Sequence, residues 1–184
     1  MNLTKWIVPA VIVVLIVIAW TQYNGLNRSD LAVDVSWAEI DNQLMRRAEL
    51  VPDLVRAANR IAAHEAEIIN SVTDARARLA GATGREARIQ AGVAMEGALS
   101  RLLAVMENYP QLRADQGYIR VMDELAGTEN RLAVARRNYN TSVGDYNLKL
   151  RVVPAAWIAR AFGFESRPFF EIPEESRARP VYDL

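Results

Sequence analysis

Over 184 residues the chain sets 22 acidic side chains against 22 basic ones, for no formal net charge, so no long-range field gathers nucleic acid or an anionic surface to it. It has no cysteine, which excludes thiol catalysis, disulfides and cysteine-ligated zinc. Twenty of the basic residues are Arg, with only Lys5 and Lys149 as Lys, a bias that phosphate recognition or, more plainly, a GC-rich genome would give.

From Trp6 to Asn27 no side chain is charged, and Trp6 to Trp20 is nearly all Val, Ile, Leu and Ala. A hydrocarbon core of roughly 30 Å needs about 20 helical residues, so the run spans if Thr21, Gln22 and Tyr23 reach the interface. Trp6 at one end, and Trp20 with Tyr23 at the other, stand where aromatic belts stand. Pro9 falls in the first turns, where a missing backbone donor does little harm. A cleaved signal peptide ends in a small-residue site, and Ala19-Trp20-Thr21-Gln22 is not one. Residues 1–27 are therefore read as an uncleaved single-pass anchor. Lys5 and the terminal amine on one side, against Arg28 on the other, place the bulk of the protein outside the cytoplasm by the positive-inside tendency.

Arg28 to Ala80 contains no Gly and one Pro. Leu44, Val51, Leu54, Ala58, Ile61, Ile68, Val72, Ala75 and Leu79 recur at helix period, with Glu65 on the same row. Pro52 has no turn residues around it and predicts a kink or a fresh helix start. Gly81-Ala82-Thr83-Gly84 is a break, followed by a helix over about 85–108 that Asn108-Tyr109-Pro110 closes. A third long helix runs over about 111–151, and a short amphipathic one over about 154–162. The expected class is all-α: a transmembrane helix, then an antiparallel up-and-down bundle over 28–164, then an irregular tail over 165–184.

The third long helix carries ions where a bundle expects oil. Steps of four and three run through Tyr118, Met122, Leu125, Glu129, Leu132, Arg136, Tyr139, Val143, Tyr146 and Leu150, one helix face. Glu129 and Arg136 are thus expected to be largely buried, which costs several kcal/mol unless they are paired. Glu65 and Arg76, which borders the seam at Ala75, offer matching partners, since Arg meets carboxylate with a planar fork. A network of Glu65, Arg76, Glu129 and Arg136 would fix helix register; the alternative is a switch driven by protons or ligand.

Tyr-Asn pairs occur at Tyr23-Asn24, Tyr139-Asn140 and Tyr146-Asn147, the last two one heptad apart. Each Tyr brings buried area and a hydroxyl, and each Asn a two-sided hydrogen-bonding group. For Tyr139-Asn140 and Tyr146-Asn147 core packing is the simpler reading, with a ligand or subunit contact as the other; Tyr23-Asn24 differs, marking where the anchor enters the domain. Together with Arg46-Arg47, Leu50-Val51-Pro52-Asp53-Leu54-Val55, His64-Glu65, Ala75-Arg76, and the string Glu129 to Asn147 followed by Pro154 and Phe162-Gly163-Phe164, these pairs resemble the LemA family of bacterial membrane-anchored proteins. The resemblance covers about 23–170. It implies a helical bundle beside the membrane with no established enzymatic activity. Some relatives look like lipoproteins at the matching position; this chain has a hydrophobic helix there instead.

Catalytic candidates are sparse. The only His, His64, directly precedes Glu65, so the two diverge around a helix and do not make the Glu-x-x-His spacing of di-metal bundles. No phosphate loop, nucleophile elbow or HExxH is present, and the chain is read as a non-enzyme without cofactor or metal. All four Phe lie between 162 and 170. Trp157, Ile158, Ala161 and Phe162 share a face with Arg160 opposite, and Phe164 follows. This element either covers the open end of the bundle or rests on the bilayer or on another copy. The expected role is a self-associating, membrane-anchored scaffold of the bacterial inner membrane with a periplasmic domain, whose partners are lipid, its own copies and other envelope proteins, and not nucleic acid. The second class is a tethered sensory module.

Overall fold

The computed structural model describes residues 4–61, 63–111 and 115–170, and every regular element among them is helical. These are α1 (Thr4–Ile61), a 3-10 turn (Ala63–Glu65), α2 (Ala66–Gly81), α3 (Arg85–Met106), α4 (Gln116–Lys149) and α5 (Ala155–Phe162). The all-α class is as the sequence predicts. Of the expected tail, residues 165–170 are non-helical, while 171–184 lie outside the described residues.

No helix starts afresh at Pro52. α1 passes through that residue and ends at Ile61. An interior Pro lacks the N–H that would bond the carbonyl four residues back, here that of Ala48. That carbonyl is not orphaned, because Arg76 Nε of α2 donates to it at 3.0 Å. A guanidinium from a neighbouring helix thus replaces the missing backbone donor.

Among the described residues, two helices are long and apolar enough to cross a membrane. The N-terminal one reaches a mean hydropathy of 2.1 with none of its apolar window buried, whereas α3 reaches 1.2 with a third of its window buried. Leu99, Leu102 and Met106 of α3 lie in a protein core, so α3 is a core helix and α1 carries the candidate span.

The chain divides into two compact units. The first combines the chain up to Ala38 with Arg137–Phe169. Its core takes Leu26 and Val33 from α1, Tyr139, Val143 and Tyr146 from α4, and Ala155, Ala156 and Ala159 from α5. Here α5 docks by its small residues: Ala155 and Ala159 meet Leu26, with Leu150, Ile158 and Phe164 around them. The helix ends at Gly163, whose φ of +74° suits glycine alone. Phe164 N–H then donates to Ala159 O at 3.0 Å, a closing bond that turns the chain into the non-helical segment 164–169.

The second unit combines Glu39–Arg136 with Phe170. α2 and α3 pack against each other as a hairpin through Ala82–Gly84. Its core includes Ile40, Leu44, Val51, Leu54 and Ala58 of α1, Val72 and Leu79 of α2, and Met95 and Leu99 of α3. At Gly92 the helices come close: an added Cβ would sit 3.0 Å from Leu44 Cδ2.

Candidate functional site

The first unit explains the tyrosine–asparagine heptad. Tyr139 and Tyr146 lie on the buried stripe of α4, and their hydroxyls emerge at its edge beside the non-helical segment. Tyr139 Oη donates to Pro168 O at 2.9 Å, and Tyr146 Oη to Glu165 O at 3.0 Å. Asn147 makes two bonds to one residue: its Nδ2 donates to Arg167 O at 2.8 Å, and its Oδ1 accepts from Arg167 N–H at 2.9 Å. A side-chain amide thereby satisfies both backbone groups of Arg167 as a neighbouring strand would. Asn140 is half-buried.

The Arg167 side chain closes the clamp from α1. Its Nε and Nη2 donate to Asp30 Oδ1 and Oδ2 at 2.9 and 3.1 Å, the bidentate geometry that makes Arg–carboxylate pairs directional. Asp34 lies 3.9 Å away. The Asp30 hydrogen bond raises the Arg167 pKa further above its usual value. The Tyr146 phenol is also pushed up, first by burial and then by the Asp30 carboxylate, with Arg167 opposing. Trp37 packs edge-on to Tyr139 at 5.8 Å. A cavity of about 360 Å³ lies along the segment between Asp30, Tyr146 and Phe164–Pro168.

Three further aromatic residues gather where α1 leaves its apolar run. Tyr23 lies 4.9 Å from the Phe162 ring and 5.9 Å from that of Phe164. The expected aromatic face of α5 is not covered by the protein: Trp157 is 64% and Phe162 63% exposed, while the opposite alanines are buried. For these two residues, covering a bundle end is therefore the wrong reading. Trp6 and Trp20 are exposed on α1.

In the second unit the predicted ions each find a different partner from the one expected. The fully buried residues of α4 here are Val121, Leu125, Thr128, Leu132 and Ala135; Thr128 takes the position assigned to Glu129, whereas Arg136 is largely buried as expected. The Glu129 side chain is 43% exposed, against the expected burial; desolvating Thr costs far less than desolvating an ion. Thr128 Oγ1 satisfies itself on Leu125 O at 2.7 Å. Glu129 Oε2 pairs with Arg47 Nη1 at 2.5 Å, and Arg47, only 6% exposed, is the buried cation of this region. Its Nε has no hydrogen-bond partner among the described residues.

Arg136, 11% exposed, pairs with Glu96 Oε2 at 3.0 Å and lies over the Phe170 ring at 4.9 Å. Glu65 accepts from Tyr109 Oη at 3.0 Å, which raises that phenol's pKa. Arg76 is exposed apart from its bond to Ala48 O. The four predicted network residues are thus distributed over four separate contacts. Arg46 of α1 makes two bonds to Glu124 of α4 at 2.7 and 3.0 Å, which hold the carboxyl below its usual range.

Arg47 and Glu96 were not singled out as partners because nothing local distinguishes them. Asp30 and Arg167 lie 137 residues apart, and only the fold joins them. His64 is exposed, and no three His, Asp or Glu residues cluster as metal ligands among the described residues.

A model of the LemA family matches residues 36–183. Magnetosome protein MamQ 2 of Paramagnetospirillum magneticum (strain ATCC 700264 / AMB-1) is 32% identical over 88 residues, 48% of this chain and 32% of that protein. Magnetosome protein MamQ of Magnetospirillum gryphiswaldense (strain DSM 6361 / JCM 21280 / NBRC 15271 / MSR-1) is 33% identical over 73 residues, 40% of this chain and 27% of that protein. The matched stretch thus spans about a third of these relatives' length or less.

Proposed function

Because the chain belongs to the LemA family, we propose that it is a non-enzymatic, membrane-anchored helical scaffold of the bacterial envelope, one that self-associates and organises or remodels the membrane. The observation that carries this reading is the unbroken run of α1. The uncharged, fully exposed apolar segment continues as helix, with no linker, into Leu26 and Val33, which are core residues of the first unit. Any force or ordering on the folded part is therefore transmitted to the bilayer through a helix. The likeness to proteins named for the magnetosome supports a membrane-associated place. The antiparallel bundle, the inner-membrane location and the periplasmic orientation belong to the same proposal.

The test is the mass of the full-length protein in detergent and in nanodiscs by light scattering. The scaffold reading expects two or more copies per particle at micromolar protein. A monomer throughout, together with a pH-dependent change in helix content, would replace it with a tethered sensory module, for which the buried Arg47 and its Glu129 partner are the specific reason.

A further inference from the structure

A groove of about 500 Å³ runs along the end of the apolar segment of α1, lined by Ile16, Ala19, Trp20, Tyr23, Asn24 and Phe162. Five of these belong to the candidate span or its boundary; the sixth comes from α5, 139 positions later in the chain. A ring of α5 therefore rests on the last turns of the span, 4.9 Å from Tyr23. Interfacial Trp and Tyr sit at headgroup depth, and whatever leans on them shares that depth.

The composition of α5 and its flanks fits such a position. Between Leu150 and Phe164 the only charged residues are Arg151 and Arg160, both exposed. Val152, Val153, Trp157 and Phe162 are all more than half exposed, while the small residues Ala155, Ala156 and Ala159 face the protein. A soluble surface would gain nothing by turning its alanines inward and its Trp and Phe out. A cationic helix with bulky apolar groups on its free face is the composition of an interfacial segment.

We infer that α5 is a second membrane contact: it lies in the headgroup–acyl boundary, with Trp157 and Phe162 inserted beside Trp20 and Tyr23, Arg151 and Arg160 at phosphate level, and an acyl chain in the Ile16–Phe162 groove. The occupant of the aromatic face is lipid, because that face continues the lipid-facing surface of the span itself. The inference rests on α1 crossing the bilayer but not on self-association.

Since the chain has no native cysteine, single spin labels report depth without background. Full-length Val13→Cys, Trp157→Cys, Phe162→Cys, Arg160→Cys and Glu165→Cys are labelled in nanodiscs of phosphatidylethanolamine and phosphatidylglycerol, and accessibility to oxygen and to a water-soluble nickel complex is measured. Circular dichroism checks that each variant is folded. The expected result is a several-fold higher oxygen-to-nickel ratio at positions 157 and 162 than at 160 and 165, and the highest ratio at position 13. High nickel access at 157 and 162, with position 13 deep, overturns the second contact and leaves the span intact. Low access to both reagents at 157 and 162 also overturns it, in favour of a second copy on that face. A water-exposed position 13 removes the span.

Discussion

The two units of this protein solve the same problem, holding helices and a tail in one arrangement, with different chemistry. In the first, neutral groups on α4 address a backbone: two phenols and one amide make four hydrogen bonds to Glu165, Arg167 and Pro168. In the second, guanidiniums address carboxylates: Arg46 with Glu124, Arg47 with Glu129, Arg88 with Asp41, Arg136 with Glu96. Bonds to backbone specify one segment in one register. Ion pairs are long, adaptable and screened where exposed, and they become decisive only where one partner has lost its water. The first unit is thus built to hold a particular segment, and the second to be tolerant except at its buried guanidiniums, Arg136 and, most of all, Arg47.

The sharpest way to break this contrast is at Arg47. Glu129→Ala should destabilise the fold by about 3 kcal/mol, the low end for breaking a buried pair because the carboxylate is partly solvated. Urea unfolding of the full-length protein measures it. The double change Arg47→Met with Glu129→Leu removes both charges and should recover most of the loss. A loss below about 0.5 kcal/mol for the single change would make Arg47–Glu129 an ordinary surface pair.

On the other side of the comparison, Asn147→Ala deletes two bonds to Arg167 and should cost about 2 kcal/mol, at roughly 1 kcal/mol for each net bond. The effect is local. Hydrogen exchange at the Arg167 amide should accelerate while Val72 and Leu99 in the second unit keep their protection. Asn147→Asp retains the acceptor and loses the donor, so it should fall between the two. Uniform acceleration across both units would show that the clamp is not a separate feature.

A smaller effect tests how the second unit substitutes side chain for backbone. Arg76→Ala leaves the Ala48 carbonyl without a donor and should cost about 1 to 1.5 kcal/mol. Restoring the backbone N–H with Pro52→Ala in the same chain should abolish that cost, a coupling that a double-mutant cycle reads directly. Additive effects would mean that Arg76 serves some other contact.

Much of this was legible in residue order, and the failures share a cause. Helix class and span follow from period and hydropathy, which are local. On α4, Leu125, Leu132, Tyr139, Val143 and Tyr146 are buried as the pattern predicts. The position between Leu125 and Leu132 is ambiguous because the neighbours Thr128 and Glu129 both lie near the stripe. A small rotation decides between them, and desolvation turns it toward the cheaper residue. Of the two readings at Pro52, a fresh helix start did not occur, and the donor that serves the Ala48 carbonyl, Arg76, lies 24 residues on, beyond any local pattern. The Tyr-Asn heptad stood out in sequence, but its partner is the main chain of 165–168, and main-chain groups leave no trace in sequence.

The smallest predicted effect is read against pH. Tyr146→Phe should cost about 1 kcal/mol at neutral pH, the value of one net hydrogen bond, with the tail amides again exchanging faster. The phenol's pKa in the fold is raised by burial and by Asp30, whereas in the unfolded chain it titrates near 10. The folded state therefore favours the protonated hydroxyl. That contribution is fully present below about pH 10 and is lost as pH rises through the folded value. The wild type should accordingly lose stability on alkaline titration faster than Tyr146→Phe, so the gap between them closes as the phenolate forms against Asp30 and Glu165. Tyr146→Phe, which lacks this phenol, should show the flatter profile over the same limb. A gap that stays constant through the alkaline limb would show that the hydroxyl reaches water rather than the Glu165 carbonyl.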